Sequence, residues 1–291
     1  MSFGFQKKTE PPSKAVDGPL GPFILRWKPE EGIMSSNDMD KELMAAAKAG
    51  DSAKVSKLLL LGANPRSLES GALQWAASNG HAECLMRLLP VSDAKADDSC
   101  ALRLAAQNGH AECLRLLLPV SDAKAGQSLA LRVAAQNGHA KCLLLLLDAS
   151  DPKAKESYAL RTAANNGHVE CVRLLLPLSD PKALDCEALM LATRYEHVEC
   201  ARLLLAASGP LRAIDGLLEK VINAGSFKMA ALLIGEEPQL LEGLDLSKCV
   251  AAARENGHAD LASYFSAIMD QKELLEIAAD RPARSLARPW L

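Results

Sequence analysis

The chain has 291 residues, of which 49% are hydrophobic and 24% charged, so it carries enough apolar material for a folded protein. Its formal net charge of −3 argues against binding duplex nucleic acid, which normally requires a strongly basic face. No apolar run approaches the roughly 18 residues of a membrane span, and the N-terminal residues lack the apolar core of a secretory signal peptide. We therefore expect a cytoplasmic protein that does not bind membranes.

Residues 1–38 contain five prolines, several glycines and no sustained hydrophobic periodicity. Such a segment cannot bury enough apolar surface to offset the entropy lost on ordering, so we predict a disordered N-terminal arm. Its one apolar cluster, the sequence FILRW at residues 23–27, could dock onto the folded part of the chain or act as a short linear motif.

A period of 29 residues organises the chain from residue 39 to residue 269. It places histidines and cysteines at fixed intervals, namely His81, His110, His139, His168 and His197, and Cys84, Cys113, Cys142, Cys171 and Cys200. A period in this range is typical of a solenoid whose units pack only against their neighbours. Alignment on the Gly-His position gives eight units, of which the first, seventh and eighth depart from the consensus.

The third unit shows how each repeat is expected to fold. Apolar residues at helical spacing predict a first helix over Cys100–Gln107, ended by Gly109, with Ser99 as its N-cap. A second helix is predicted to begin at His110 and to end before Pro119. The sequence therefore predicts an all-α solenoid over residues 39–269. Residues 270–291 are predicted to form a short capping helix and a basic C-terminal tail.

These units resemble the ankyrin repeat. The resemblance rests on Leu102, the pair Ala105-Ala106, Gly109-His110 and the leucine run Leu116–Leu118, which match the family pattern L-H-x-A-A-x-x-G-H followed by L-L-L. The family unit has about 33 residues and includes a β-hairpin finger. Because these units have 29 residues, we expect about eight helix-turn-helix repeats whose fingers are shortened or absent.

The resemblance implies a monomeric, non-enzymatic protein-binding module that holds its partner on a concave face formed by the first helices. Near-identical units are similar to those of bacterial ankyrin proteins, some of which are delivered into host cells, so a bacterial effector or adaptor is one expectation. Two alternatives stay open. One is a scaffold whose functional motif lies in the N-terminal arm or the C-terminal tail, and the other is an enzyme or toxin.

The concave positions supply the candidate partner-binding residues. They comprise polar pairs at the ends of the first helices, a column of arginines that would form a basic stripe, and one tryptophan: Ser78, Asn79, Gln107, Asn108, Gln136, Asn137, Asn165, Asn166, Arg194, Tyr195, Arg103, Arg132, Arg161 and Trp75. Such a groove would suit an acidic or extended protein segment. Trp75 is either a partner anchor or, as we rather expect, a packed core residue.

The repeated histidines and cysteines are expected to be structural rather than catalytic or metal-binding. A catalytic histidine is usually unique, whereas here a histidine opens the second helix in most units. Cysteines at one repeat position lie on helices about 8–10 Å apart, too far for a disulfide, which requires Cα atoms within about 4.4–6.8 Å. We therefore predict buried, reduced thiols, and no catalytic residue, cofactor or metal ligand.

Overall fold

The computed structural model describes residues 35–208, 217–236, 238–241 and 244–279. These residues fold into successive helix pairs: α1 (Ser36–Ala49) and α2 (Ser52–Leu60), α3 (Ser67–Ser78) and α4 (Ala82–Leu88), α5 (Ala96–Gln107) and α6 (Ala111–Leu117), α7 (Ala125–Gln136) and α8 (Ala140–Leu146), α9 (Ala154–Asn165) and α10 (Val169–Leu175), α11 (Ala183–Arg194) and α12 (Val198–Ser208), α13 (Leu217–Ala224) and α14 (Phe227–Glu236), and α15 (Leu246–Glu255) and α16 (Ala259–Ala279). A short 3₁₀-helix, Pro238–Leu241, precedes α15. The eight predicted helix pairs are confirmed, and the described ranges contain no strand that could form a finger.

The helices form two layers, with the first helix of each repeat packed beside the first helices of its neighbours and the second helices packed likewise. The core lies between the layers. Leu102, Ala105 and Ala106 of α5 are fully buried there, as predicted, together with Cys113 and Leu114 of α6. Each buried leucine contributes roughly 1.5–3 kcal/mol, which stabilises helices too short to persist alone in water. The small alanine pair lets neighbouring first helices approach closely.

A left-handed turn stands where the family has its finger. In the third repeat Asp97, Asp98 and Ser99 have φ values of 50°, 52° and 59°, so the right-handed part of α5 begins at Cys100, where the sequence predicted it. The same three-residue turn recurs in the second, fourth, fifth and sixth repeats. It reverses the chain in fewer residues than a hairpin, which accounts for the 29-residue period. Left-handed backbone costs L-residues roughly 1–2 kcal/mol each, so bonds between repeats must offset it.

One such bond comes from the serine that ends the turn in repeats two to five. The hydroxyl of Ser99 accepts a hydrogen bond from the backbone N–H of Asp122 in the next repeat, at 2.9 Å. Ser70, Ser128 and Ser157 make the same contact 23 residues ahead. The prediction that Ser99 caps its own helix is therefore wrong. Its left-handed φ turns the hydroxyl away from the first turn of α5 and toward the following repeat.

A second bond comes from the histidines, whose structural role is confirmed. Nε2 of His139 lies 2.9 Å from the carbonyl oxygen of Gln107 in the preceding repeat. The ring also sits against Gly109, where an added Cβ would come within 2.7 Å of Nδ1. Gly109 has φ +78°, so both its conformation and its contact require glycine. Where glycine is replaced by Glu196, the next repeat carries Ser226 instead of histidine.

All eight cysteines of the chain are buried and none is in a disulfide, so the predicted burial is confirmed. Burial disfavours the thiolate and raises the pKa of Cys113 to about 11. Cys171 and Cys200 have pKa values raised to about 11 by the same cause. The periodic cysteines therefore act as small apolar core residues.

The two ends differ in detail from the predicted boundaries. α1 begins at Ser36, three residues before the predicted start of the solenoid at residue 39. α16 continues without a break to Ala279, so residues 270–279 extend the second helix of repeat eight rather than form a separate helix. No glycine or proline interrupts α16. The predicted arm up to residue 34 and the basic tail from residue 280 lie outside the described residues.

No helix of the described ranges is long and apolar enough to span a bilayer.

Candidate functional site

The ends of the first helices carry two columns of polar residues, which we call the first-helix face. One column contains Ser78, Gln107, Gln136, Asn165 and Arg194, and the other contains Asn79, Asn108, Asn137, Asn166 and Tyr195. Most of these side chains are exposed, while Ser78 and Asn165 are half-buried. Each column advances by one side chain per repeat, so the fold brings ten of the candidate residues onto one continuous surface.

The asparagine column also links the repeats to one another. The side-chain amide of Asn108 donates to the carbonyl oxygen of Ser78 at 2.8 Å, and Asn166 donates to that of Gln136 at 2.7 Å. These side chains are therefore held in position. The side chains of Gln107 and Gln136 make no hydrogen bond within the described residues, so their amides are available to a partner.

The arginine column does not form an exposed basic stripe, contrary to expectation. Arg132 is only 8% exposed; it donates to the carbonyl oxygen of Gly126 and lies 5.3 Å from the centre of the Tyr158 ring. Arg161 lies at the same distance from the Tyr158 ring centre and pairs with Glu187. These groups neutralise or cover both guanidinium ions. Tyr158 and Glu187, which the sequence reading missed, each follow their arginine by 26 residues, and that spacing could have identified them.

Arg103 is the more accessible member of the column, and it too turns toward its own repeat. Its guanidinium donates to Sγ of Cys100 at 3.0 Å and lies 4.0 Å from the Asp97 carboxylate. Because the side chain is 30% exposed, the ion pair is partly screened by solvent and contributes little stability.

Trp75 lies on the surface rather than in the core. Its side chain is 41% exposed, and the Lys48 ammonium lies 4.5 Å from the ring centre. The expectation that Trp75 packs in the core is therefore wrong. The equivalent position in later repeats is occupied by the smaller residues Leu104, Val133 and Thr162. The indole is too large for the space that these side chains fill. The ring is held by a cation–π contact and remains accessible to a partner.

Two adjacent cavities open on the first-helix face near its C-terminal end. The first, of about 300 Å³, lies between α9 and α11 and is lined mostly by polar side chains: Gln136, Tyr158, Arg161, Thr162, Asn165, Asn166, Glu187 and Leu191. The second, of about 420 Å³, lies between α11 and α13 and has mostly apolar walls: Glu187, Met190, Leu191, Thr193, Arg194, Val221, Asn223 and Ala224. Glu187 and Leu191 line both cavities, so the two are contiguous.

The sequence of repeat six departs from the consensus at the α11–α13 cavity. Thr193 stands where earlier repeats have the second alanine of the pair, such as Ala106, and its larger branched side chain lines the cavity. The Thr193 residue is only 6% exposed, and its hydroxyl has no hydrogen-bond partner within the described residues. The junction also lacks the serine and histidine bonds, because Cys186 and Ser226 replace those residues.

The described residues of the face offer hydrogen-bonding groups and apolar surface. Among the described residues, no group of three histidine, cysteine or carboxylate side chains could hold a metal ion. Nε2 of each periodic histidine is occupied by a backbone carbonyl group, as at His110 and Ser78, where the distance is 3.0 Å. These histidines therefore join one repeat to the next.

The comparisons with known proteins agree with this architecture. The family model for ankyrin repeats (3 copies) matches residues 43–128 and 131–212. The crystal structure of the human ASB11 ankyrin repeat domain is similar, with a TM-score of 0.59 and 24% sequence identity over 67% of this chain and 97% of that chain. At this identity the likeness shows the fold alone. A search of curated proteins finds no match. The chain therefore belongs to the ankyrin repeat family, whose fold is a general protein-interaction module.

Proposed function

We propose that this chain is a non-enzymatic binding protein that holds an extended segment of a partner protein along the first-helix face of repeats two to six. The supporting observation is a column of polar side chains, one per repeat, which we call the ladder: Ser78, Gln107, Gln136, Asn165 and Arg194. The side chains of Gln107 and Gln136 are exposed and make no hydrogen bond within the described residues. Packed helices lie roughly 8–10 Å apart, and an extended chain advances about 3.3 Å per residue. Successive rungs of the ladder therefore match every third residue of an extended segment.

The distribution of charge refines the expected partner. Because Arg132 and Arg161 are covered by Tyr158 and Glu187, recognition does not depend on a broad basic stripe. The face instead offers hydrogen bonds from the glutamine amides, an aromatic contact at Trp75 and the exposed guanidinium of Arg194. This set favours an extended segment with a local acidic residue rather than a polyanion. An adaptor or effector role follows if that segment belongs to a protein of another pathway or a host cell.

The test is a pull-down with mass spectrometry that compares the wild type with the double variant Gln107→Glu, Gln136→Glu. Each substitution is nearly isosteric and places a negative charge on the ladder, so folding is preserved and an acidic segment is repelled. The matched control is Gln127→Glu with Gln271→Glu, which makes the same change at exposed positions off this face. A partner lost only from the ladder variant supports the proposal. A partner retained by it, or lost equally from the control, assigns binding to the arm, the tail or another face.

A further inference from the structure

We propose that the α11–α13 cavity is an anchor site for one large apolar side chain of the extended partner segment, with an adjacent carboxylate of that segment bound by Arg194. This inference rests on the proposed function, because the cavity lies at the end of the ladder where the segment would leave repeat six. It adds a specific recognition element, an apolar residue next to an acidic one.

The size and walls of the cavity fit a side chain rather than a solvent pocket. Its volume of about 420 Å³ is more than ten times the roughly 30 Å³ that one water molecule occupies in the liquid. The volume also lies within the range typical of ligand sites. Met190, Leu191, Val221 and Ala224 provide apolar surface on both sides. Water in such a space has few polar partners, so its displacement by a leucine, methionine or phenylalanine side chain is favourable.

A buried polar group at the cavity indicates a peptide rather than a simple hydrocarbon. The Thr193 hydroxyl belongs to a residue of the wall that is more than nine-tenths buried, and it has no hydrogen-bond partner within the described residues. A buried hydroxyl without a partner is costly, and a peptide N–H or C=O entering with the apolar side chain would satisfy it.

The charge at the rim selects an acidic neighbour for the apolar residue. Arg194 is exposed and lines the cavity, and no carboxylate of the described residues lies within ion-pair distance of it. Glu187, the other charged residue of the lining, is already paired with Arg161. The net unpaired charge at the mouth of the cavity is therefore positive, and a carboxylate next to the anchored side chain would form an ion pair with Arg194.

The site arises from a local departure from the repeat pattern. Earlier repeats have alanine at the position of Thr193, and repeats three, four and five have Arg103, Arg132 and Arg161 where Met190 stands, while repeat two has Gln74 there. In repeats four and five the arginine packs on Tyr158 or Glu187 of the following repeat and occupies the space between the two first helices. Among the first helices α3 to α11, α11 alone has methionine and threonine at these two positions.

The experiment selects peptides from a displayed library of random 12-residue sequences on the full-length protein, and then measures the affinity of a synthetic consensus peptide by fluorescence anisotropy. We expect selected peptides to share a leucine, methionine or phenylalanine next to an aspartate or glutamate. Ala224→Trp fills the cavity from an exposed position and should weaken binding at least tenfold, and Arg194→Glu should do so as well. The matched control is Asn256→Trp, at the equivalent exposed position directly after α15, and should leave affinity unchanged.

The variants also separate this inference from the function on which it rests. Peptides that bind Ala224→Trp as well as the wild type, yet lose affinity for Gln107→Glu with Gln136→Glu, would overturn the anchor site and retain the ladder. Loss of affinity in neither variant would overturn both. Failure to select any peptide, selection of peptides without the apolar–acidic pair, or capture of only a small apolar molecule would also overturn the inference.

Discussion

Substituting Gly109 by alanine should destabilise the protein, and part of the effect should depend on a histidine in the next repeat. Gly109 has φ +78°, and an added Cβ would lie 2.7 Å from Nδ1 of His139, closer than real Cβ contacts come. The ring must therefore move. Its movement breaks the contact between Nε2 and the Gln107 carbonyl oxygen, which measures 2.9 Å.

The expected magnitude has two parts. Left-handed backbone costs an L-residue roughly 1–2 kcal/mol. Loss of the hydrogen bond from His139 adds about 0.5–1.5 kcal/mol. Gly109→Ala should therefore lower the free energy of unfolding by about 1.5–3.5 kcal/mol. Gly257 offers a matched control, because it has the same φ of +78° and nothing within 4 Å of an added Cβ, so Gly257→Ala should show the backbone part alone.

The assay is urea denaturation followed by circular dichroism on a double-mutant cycle of Gly109→Ala and His139→Ser. With serine at position 139 the added methyl group meets no ring, so Gly109→Ala should cost only about the backbone part, and the cycle should show a coupling of about 1 kcal/mol. The chain itself contains the double replacement, since Glu196 occupies the glycine position with φ +58° and Ser226 replaces the following histidine. A coupling within about 0.3 kcal/mol of zero would refute the reasoning, because independent sites add to that accuracy.

Lys155→Gly should raise the free energy of unfolding by about 0.5–1 kcal/mol, because Lys155 has φ +51° where the preceding repeat carries Gly126; a lower denaturation midpoint would contradict this. Ser128→Ala should lower the free energy of unfolding by about 1 kcal/mol, because the Asp151 N–H loses its acceptor at 2.8 Å, and an unchanged melting temperature would disprove the bond. The Cys113 thiol should resist a disulfide reagent in the native protein at pH 8 and react after unfolding, since burial raises its pKa to about 11; immediate native-state labelling would show that it is accessible.

The helix pairs could be predicted because their signals are local. Leu102, Ala105 and Ala106 recur at helical spacing, and Gly109 follows at the point where α5 ends. These residues determine which face is buried without reference to any other repeat. The shortened connection was predictable for a similar reason, since a 29-residue period leaves too few residues for a hairpin beside two helices.

The contacts between repeats were harder to predict, because they depend on how one unit stacks on the next. Serine is a favoured N-cap residue, yet the Ser99 hydroxyl accepts a hydrogen bond from the backbone N–H of a residue 23 positions ahead. Arg161 was expected on the surface, yet Glu187 of the following repeat supplies a partner and α11 covers it. Trp75 is an aromatic residue in an otherwise non-aromatic column and contacts Lys48 of the first repeat, and the pattern of the consensus units contains neither feature. Comparing residues at separations of 23 and 26 would identify the first two contacts.

The junction contacts have a consequence for how the gene can change. Each junction joins positions at fixed separations, such as Gly109 with His139 and Ser99 with Asp122, and these separations are the same between repeats two and six. Removal of 29 residues, for example residues 110–138, would place His139 directly after Gly109 in the site of the deleted His110, and would bring His168 against Gly109. Recombination within this stretch can therefore shorten or lengthen the protein by whole units without creating a new interface. After repeat six the matching residues change to Glu196 and Ser226, so exchange across that point would place a histidine against a glutamate side chain.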